Sequence, residues 1–168
     1  MRPGPTKDVD SPRTEASGAA RLFTHIATLG FIGYLPAAPG TFGTLASTLL
    51  FIVLRPGSAA TFFLLLVSVV LGTISAHYAE KCLKEKDSRK IVIDEFAGYV
   101  ASVLLLPPTL SSYGAAFLLF RFFDILKPPP IRSLEKVFPG GSGVVADDLM
   151  AGIYTNIALQ VWNFLTRN

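Results

Sequence analysis

Charge is what this chain has least of. Between residues 22 and 79 the only formal charge is Arg55, and residues 96–120 and 149–166 carry none. Of 168 residues 16% are charged, against about a quarter in an ordinary soluble domain, while 51% are hydrophobic and the mean hydropathy is +0.49. Cysteine is nearly absent. The single Cys82 excludes an internal disulfide, and its C-x6-R spacing to Arg89 is one residue too long for a cysteine-phosphatase loop. Only two histidines occur, His25 and His77, each isolated in apolar surroundings, so no pair suits phosphohistidine chemistry. Alternating polar and apolar runs are missing as well, which leaves helix as the only regular structure the pattern supports. Residues 1–20 lack the apolar run of a signal peptide and, with Pro3, Pro5, Pro12, Gly4 and Gly18 among polar residues, are expected to form a disordered tail.

What is present is a series of apolar segments expected to be helical over residues 41–54, 59–85, 94–106, 112–126 and 146–165. A short interfacial helix is expected over 21–29 and another over 131–137. Several are shorter than the roughly 20 residues that a perpendicular membrane span needs, so half-depth, re-entrant or covered helices are expected. The fold class is therefore an all-α, membrane-embedded bundle, a single domain over residues 21–168, with two glycine-rich loops. The net charge of +3 sits in local clusters such as Lys81, Lys84, Lys86, Arg89 and Lys90, which suit anionic lipid headgroups and give no reason to expect a nucleic-acid partner.

Basic residues favour the cytoplasmic side of a membrane. If five segments cross, the basic loops fall on one side, and with them Asp94, Glu95, Asp124, Asp147 and Asp148, all at the ends of uncharged stretches. Each cluster also has a plain structural explanation. Asp94 and Glu95, like Asp147 and Asp148, fit a first helical turn, where acids stabilise the macrodipole. Arg121, Asp124 and Lys127 fit an i,i+3 ion-pair ladder. Coincidence weakens these explanations, because a chain so sparing of charge places five acids and two bases at helix ends on one side.

Magnesium prefers six oxygen ligands and often retains waters, so two or three carboxylates plus a substrate phosphate make a normal shell. Neighbours in a regular helix diverge by about 100°, so Asp94 and Glu95 can share one site only at a helix start, or with divided roles. Arg121 and Lys127 would neutralise phosphate. The segments Pro39-Gly40-Thr41-Phe42-Gly43-Thr44 and Gly140-Gly141-Ser142-Gly143 lead into helices, where backbone N–H groups could face an anion or simply make tight connections. Neither fits a Walker or dinucleotide fingerprint. The sequence also lacks D-x-D-x-T/V and D-G-x2-A-R signatures.

Four segments in order, GYLPAAPGTFGT at 33–44, IVIDEFAG at 91–98, FRFFDILKPPPI at 120–131 and GGSGVVADDLMAG at 140–152, closely resemble the phosphatidylglycerophosphatase A family. The resemblance spans roughly residues 30–158. It implies a helical, magnesium-dependent phosphatase that converts phosphatidylglycerophosphate to phosphatidylglycerol at the bacterial inner membrane, with its active site facing the cytoplasm. Thr44 stands where Ser is common, and Val144-Val145 where Ile-Met is common. Carried onto this chain, it implies a catalytic set of Asp94, Glu95, Asp124, Asp147 and Asp148, with magnesium held by Asp94, Glu95 and Asp147 or Asp148. Thr41, Thr44, Arg121 and Lys127 are the phosphate-binding candidates. Attack by water ranks ahead of a covalent intermediate on Asp124. The competing classes are a transport subunit with a carboxylate cation pathway and a soluble helical phosphatase of a related branch.

Overall fold

The computed structural model describes residues 18–86, 88–138 and 140–166. The chain runs through α1 (Gly18–Ala27), a 3-10 turn (Ile32–Tyr34), α2 (Pro39–Leu54), α3 (Ser58–Leu83), α4 (Ile93–Val103), α5 (Leu110–Leu126), α6 (Ile131–Val137) and α7 (Gly141–Thr166), with no strand among the described residues. The expected all-α bundle is thus observed. Residues 1–17 of the expected tail lie outside the described residues, and Gly18, Ala19 and Ala20 already belong to α1.

The boundaries moved for physical reasons. Proline at the first helical position costs no hydrogen bond, so α2 starts at Pro39 rather than at 41. The Thr109 hydroxyl accepts from Ser112 N at 3.1 Å, a cap that starts α5 at Leu110. The second glycine-rich segment turns at Gly140, whose φ is 68°, and is helical from Gly141 onward. Asp147 and Asp148 therefore sit in the second turn of α7 and are not first-turn acids.

Helix α4 is the centre of the molecule. Nine of its eleven residues are buried, and α2, α3, α5 and α7 all pack against it. At about 1.5 Å per residue it is only about 16 Å long, far short of a bilayer core of about 30 Å. Its neighbours cover it, as expected for a short helix in a membrane-embedded bundle. Asn156 of α7 donates from Nδ2 to the carbonyls of Ser102 and Leu104, satisfying backbone oxygens that the end of α4 would otherwise leave open. Below the acids, Phe51, Tyr99, Val100, Tyr113, Phe120 and Ala151 form the main apolar core. Several buried serine and threonine hydroxyls are spent within their own helices, as when Ser47 donates to Gly43 O and Thr155 to Ala151 O.

Many large apolar side chains are exposed on the outside. Helix α3, 26 residues long, is sufficiently long and apolar to cross a membrane, and Phe62, Phe63, Leu66 and Val70 are exposed on it. Exposed Ile153, Ile157, Val161 and Phe164 continue this character on α7. Exposed apolar side chains on these helices fit a membrane setting.

Candidate active site

Two glycines set the geometry of the acids. Gly98 lies four residues after Asp94, and Gly152 four residues after Asp148, so each is one helical turn below its acid on the same face. A Cβ on Gly152 would stand 2.3 Å from Gly98 O, and one on Gly98 would stand 2.6 Å from Asp148 O. The backbones of α4 and α7 therefore touch at this crossing. One turn above it, carboxylate oxygens of Asp94, Glu95 and Asp148 lie within 4.8 Å of one another. Asp94 and Glu95 can converge because they occupy the first turn of α4, the geometry in which neighbouring residues were expected to share a site.

These acids open onto a cavity of about 640 Å³ that gathers most of the candidate residues. Its lining includes Asp94, Glu95, Arg121, Asp124, Lys127, Asp147 and Asp148, together with Pro39 and Gly40 at the uncapped start of α2. Arg121 Nη1 lies 2.6 Å from Asp124 Oδ2 and 3.8 Å from Glu95 Oε1. Lys127 Nζ donates to Asp147 Oδ2 at 2.8 Å. Lys127 closes α5 in the left-handed region, φ 45°, a turn that ends the helix at the cavity. Gly40 leaves room for this network, since a Cβ there would fall 2.0 Å from Glu95 Oε1 and 3.2 Å from Arg121 Nη1.

The two aspartates of α7 divide their work. Asp147 holds Lys127, whereas Asp148 joins Asp94 and Glu95 in the oxygen cluster. Of the two alternatives for the third ligand, the geometry brings Asp148 to the cluster. Asp124 accepts from Arg121 Nη1 and its charge also acts on Asp148, which links the acid cluster to the guanidinium. Two phosphate-binding candidates are not brought in. Thr44 is fully buried and its hydroxyl donates to Gly40 O at 2.9 Å, and Thr41, half-buried, is not among the residues lining the cavity. His25, His77 and Cys82 also stand outside the lining.

Asp94 and Glu95 precede the uncharged segment 96–120, and Asp148 precedes 149–166, so all three stand at the margin of the apolar regions. Burial, then the neighbouring Asp94 carboxylate, pushes Glu95 well above the usual carboxylate range. Burial, then Asp124 and Asp94, does the same to Asp148, with Arg121 opposing. Burial also raises Asp94. Lys127 behaves oppositely: burial would lower its ammonium, but the hydrogen-bonded Asp147, with Asp148 and Asp124 behind it, holds it above its ordinary value.

A cation fits this constellation. Asp94 Oδ1, Glu95 Oε2, Asp147 Oδ1 and Asp148 Oδ2 are buried without hydrogen-bond partners. Two carboxylates about 4.8 Å apart repel by on the order of 3–4 kcal/mol at an effective dielectric of about 20. Five carboxylates line the cavity against three cations, Arg89, Arg121 and Lys127, an excess of negative charge that would repel a phosphate. A hard divalent cation on the three clustered oxygens removes that obstacle, and an all-oxygen donor set is the kind magnesium prefers.

The sequence pattern places Arg89 in a headgroup-facing cluster and gives Gly98 and Gly152 no role beyond ending two of the four motifs. The repeated Asp-x3-Gly spacing was the available signal for the glycines, and the position of Arg89 just before the acidic pair was the signal for the cavity rim.

Comparison with known proteins agrees with the motifs. The family model described as Phosphatidylglycerophosphatase A matches residues 25–163. A Phosphatidylglycerophosphatase A of Haemophilus influenzae is 40% identical over 146 residues, covering 82% of this chain and 89% of the relative. The Phosphatidylglycerophosphatase A of Escherichia coli K12 is 32% identical over 151 residues, covering 88% and 85%. A Bacteroides thetaiotaomicron protein provisionally named a phosphatidylinositol-3-phosphatase is 38% identical over 138 residues, covering 77% and 86%. No solved structure matches the chain.

Proposed function

The chain belongs to the phosphatidylglycerophosphatase A family and is a phosphatase of phosphate monoesters, and from that premise we propose that it hydrolyses phosphatidylglycerophosphate to phosphatidylglycerol and phosphate with magnesium as cofactor. The observation that carries the reading is one cavity in which three clustered carboxylates, each with a buried oxygen that has no hydrogen-bond partner, face two cations held by further carboxylates. Magnesium, when held by Asp94, Glu95 and Asp148, supplies Lewis acidity toward a phosphoryl oxygen and lowers the pKa of bound water.

The chain's own residues supply binding and orientation. Arg121 and Lys127 neutralise the charge that builds on the phosphoryl oxygens, Arg121 through its planar fork and Lys127 as a point charge. Neither cation is free to drift. Asp124 clamps Arg121 at 2.6 Å and Asp147 clamps Lys127 at 2.8 Å, so both donors are oriented before substrate arrives. These engagements favour an orienting role for Asp124 over a nucleophilic one, and hence attack by water. The start of α2 adds a positive helix end beside the cavity.

The location proposed is the bacterial inner membrane, with the cavity facing the cytoplasm. Ser88 and Arg89, from the basic loop after α3, line the cavity, so the basic loop and the site share one end of the bundle. A transport pathway would place ionisable groups near midplane in broken helices, whereas Asp94 and Glu95 open α4, Asp124 is near the end of α5, and Asp147 and Asp148 stand in the second turn of α7. The test is phosphate release by detergent-purified protein, with and without magnesium, from phosphatidylglycerophosphate, phosphatidic acid and phosphatidylinositol 3-phosphate. Magnesium-dependent release from the first substrate is expected. Release that ignores chelation removes magnesium from the mechanism, and a clear preference for another lipid replaces the substrate.

A further inference from the structure

The cavity is not uniform around its rim. Its lining is in part basic, with Arg89 and Lys127, and in part apolar, with Pro39 at the start of α2 and Ile125 near the end of α5. Ile125 lies one turn beyond Arg121 on the same face of α5, lines the cavity, and is nevertheless 72% exposed. It therefore belongs at once to the phosphate site and to the outer surface.

From that point an apolar strip runs away from the cavity. On α5, Leu118, Phe122 and Ile125 have i, i+4, i+7 spacing and are all exposed, with Leu118 at 68%. On α2, which packs against α5, Leu45 and Leu49 are exposed one turn apart. Helix α2 begins at the cavity and α5 ends there, and Gly40 holds the two together next to Arg121. From Ile125 to Leu118 is about 10 Å along the helix, most of the depth of one leaflet's hydrocarbon, which is about 15 Å.

We propose that the cavity opens laterally between α2 and α5, and that the acyl chains of a phosphomonoester lipid lie along Leu118, Phe122 and Ile125, with Leu45 and Leu49 opposite, while the phosphate reaches Arg121 and Lys127. The proposal rests on the lipid-phosphatase reading above and names where its substrate's tail is held. The occupant is a membrane lipid because only an amphipathic molecule matches a site whose phosphate-binding end is charged and whose adjoining surface is apolar. The strip sets affinity for long chains without touching the reacting phosphate.

The experiment compares two substrates and adds a probe that does not require turnover. Leu118→Asn and Phe122→Asn, on strip residues outside the cavity lining, are assayed on long-chain phosphatidylglycerophosphate in mixed micelles and on a dibutyryl analogue dispersed as monomers, with Val70→Asn on α3 as the lipid-facing control. The strip variants are expected to raise KM for the long-chain lipid about tenfold, the scale of losing one buried aliphatic contact, and to keep kcat on the short analogue within about twofold. Equal losses on both substrates, or no change on the long-chain lipid, overturn the proposal. Separately, a benzophenone thiol label on Ile125→Cys, in a Cys82→Ser background, is irradiated in vesicles containing phosphatidic acid. Adducts to that lipid are expected to exceed those from Val70→Cys and to fall with excess short-chain competitor. Equal adducts at the two positions overturn the lateral opening even if phosphatase activity is confirmed, and failure of wild-type protein to release phosphate while the adducts persist sinks the substrate reading alone.

Discussion

Replacing Gly152 by alanine adds one methyl group some distance from any reacting atom, and it is expected to cost more activity than stability. The added Cβ would stand 2.3 Å from Gly98 O and 3.0 Å from Ala101 Cβ, where ordinary contact begins near 3.4 Å. Helices α4 and α7 must therefore separate by about 1 Å at the crossing, and the acids one turn above move with them. Overpacking of this kind costs about 1–3 kcal/mol, part of which is offset because alanine is a better helix former than glycine by about 1 kcal/mol. The catalytic effect is larger. Asp94, Glu95 and Asp148 share a 4.8 Å cluster, magnesium–oxygen bonds are about 2.0–2.1 Å, and a misplacement of about 1 Å in a catalytic constellation costs about 100-fold. The assay is phosphate release across a magnesium titration, with the thermal midpoint of the purified protein measured in parallel. A rate loss of about 100-fold with a rise in the magnesium midpoint, and only a modest thermal shift, is expected. Gly114→Ala is the stability control, because a Cβ there meets nothing within 4 Å, and it is expected to leave the thermal midpoint unchanged or raise it. Near-normal turnover with an unchanged magnesium midpoint in Gly152→Ala would refute the claim that this crossing sets the metal geometry.

Four further outcomes follow from the same geometry. Asp148→Asn should abolish detectable turnover and weaken magnesium dependence while the helical circular dichroism is retained; wild-type rates would remove Asp148 from the site. Lys127→Met should lower kcat by about 100- to 1,000-fold, the usual loss for one charge-stabilising donor, as read from initial rates at saturating lipid. Thr44→Val should keep kcat within about twofold, because the hydroxyl already serves Gly40 O, and a large kcat loss in a folded variant would return Thr44 to the phosphate site. In chelator, stability should fall as pH rises above the ordinary carboxylate values of 3.8 and 4.5, since Glu95 and Asp148 keep in the folded state protons that the unfolded chain has released. That slope continues up to their raised folded pKa values and should flatten in saturating magnesium; a thermal midpoint in chelator that rises over this window would contradict it.

Much of this architecture was legible in the residues. Helices were readable because uncharged stretches of helical length leave no other way to satisfy backbone groups in lipid. The gathering of acids was readable because charge is so scarce that its placement carries information. Helix starts were less legible. The run from Gly140 to Gly143 looks like a loop, yet a Cβ on Gly141 would stand 2.5 Å from His77 N, so at that position glycine serves close packing of α7 on α3. Asp147 and Asp148 are identical in type and adjacent in sequence, and only the direction each takes from α7 separates the lysine clamp from the oxygen cluster. Thr44 sits in a motif that reads as anion-binding, but the phase of α2 turns it into the core.

By itself, then, the sequence determined an all-helical chain with an apolar exterior, four motifs of one phosphatase family, and charged residues confined to the ends of apolar segments. Only the tertiary structure decided which of those charges meet. The separation of Asp94, Glu95 and Asp148 depends on how closely two helices approach at Gly98 and Gly152, and that distance is set by packing between segments about 50 residues apart, which no local pattern encodes.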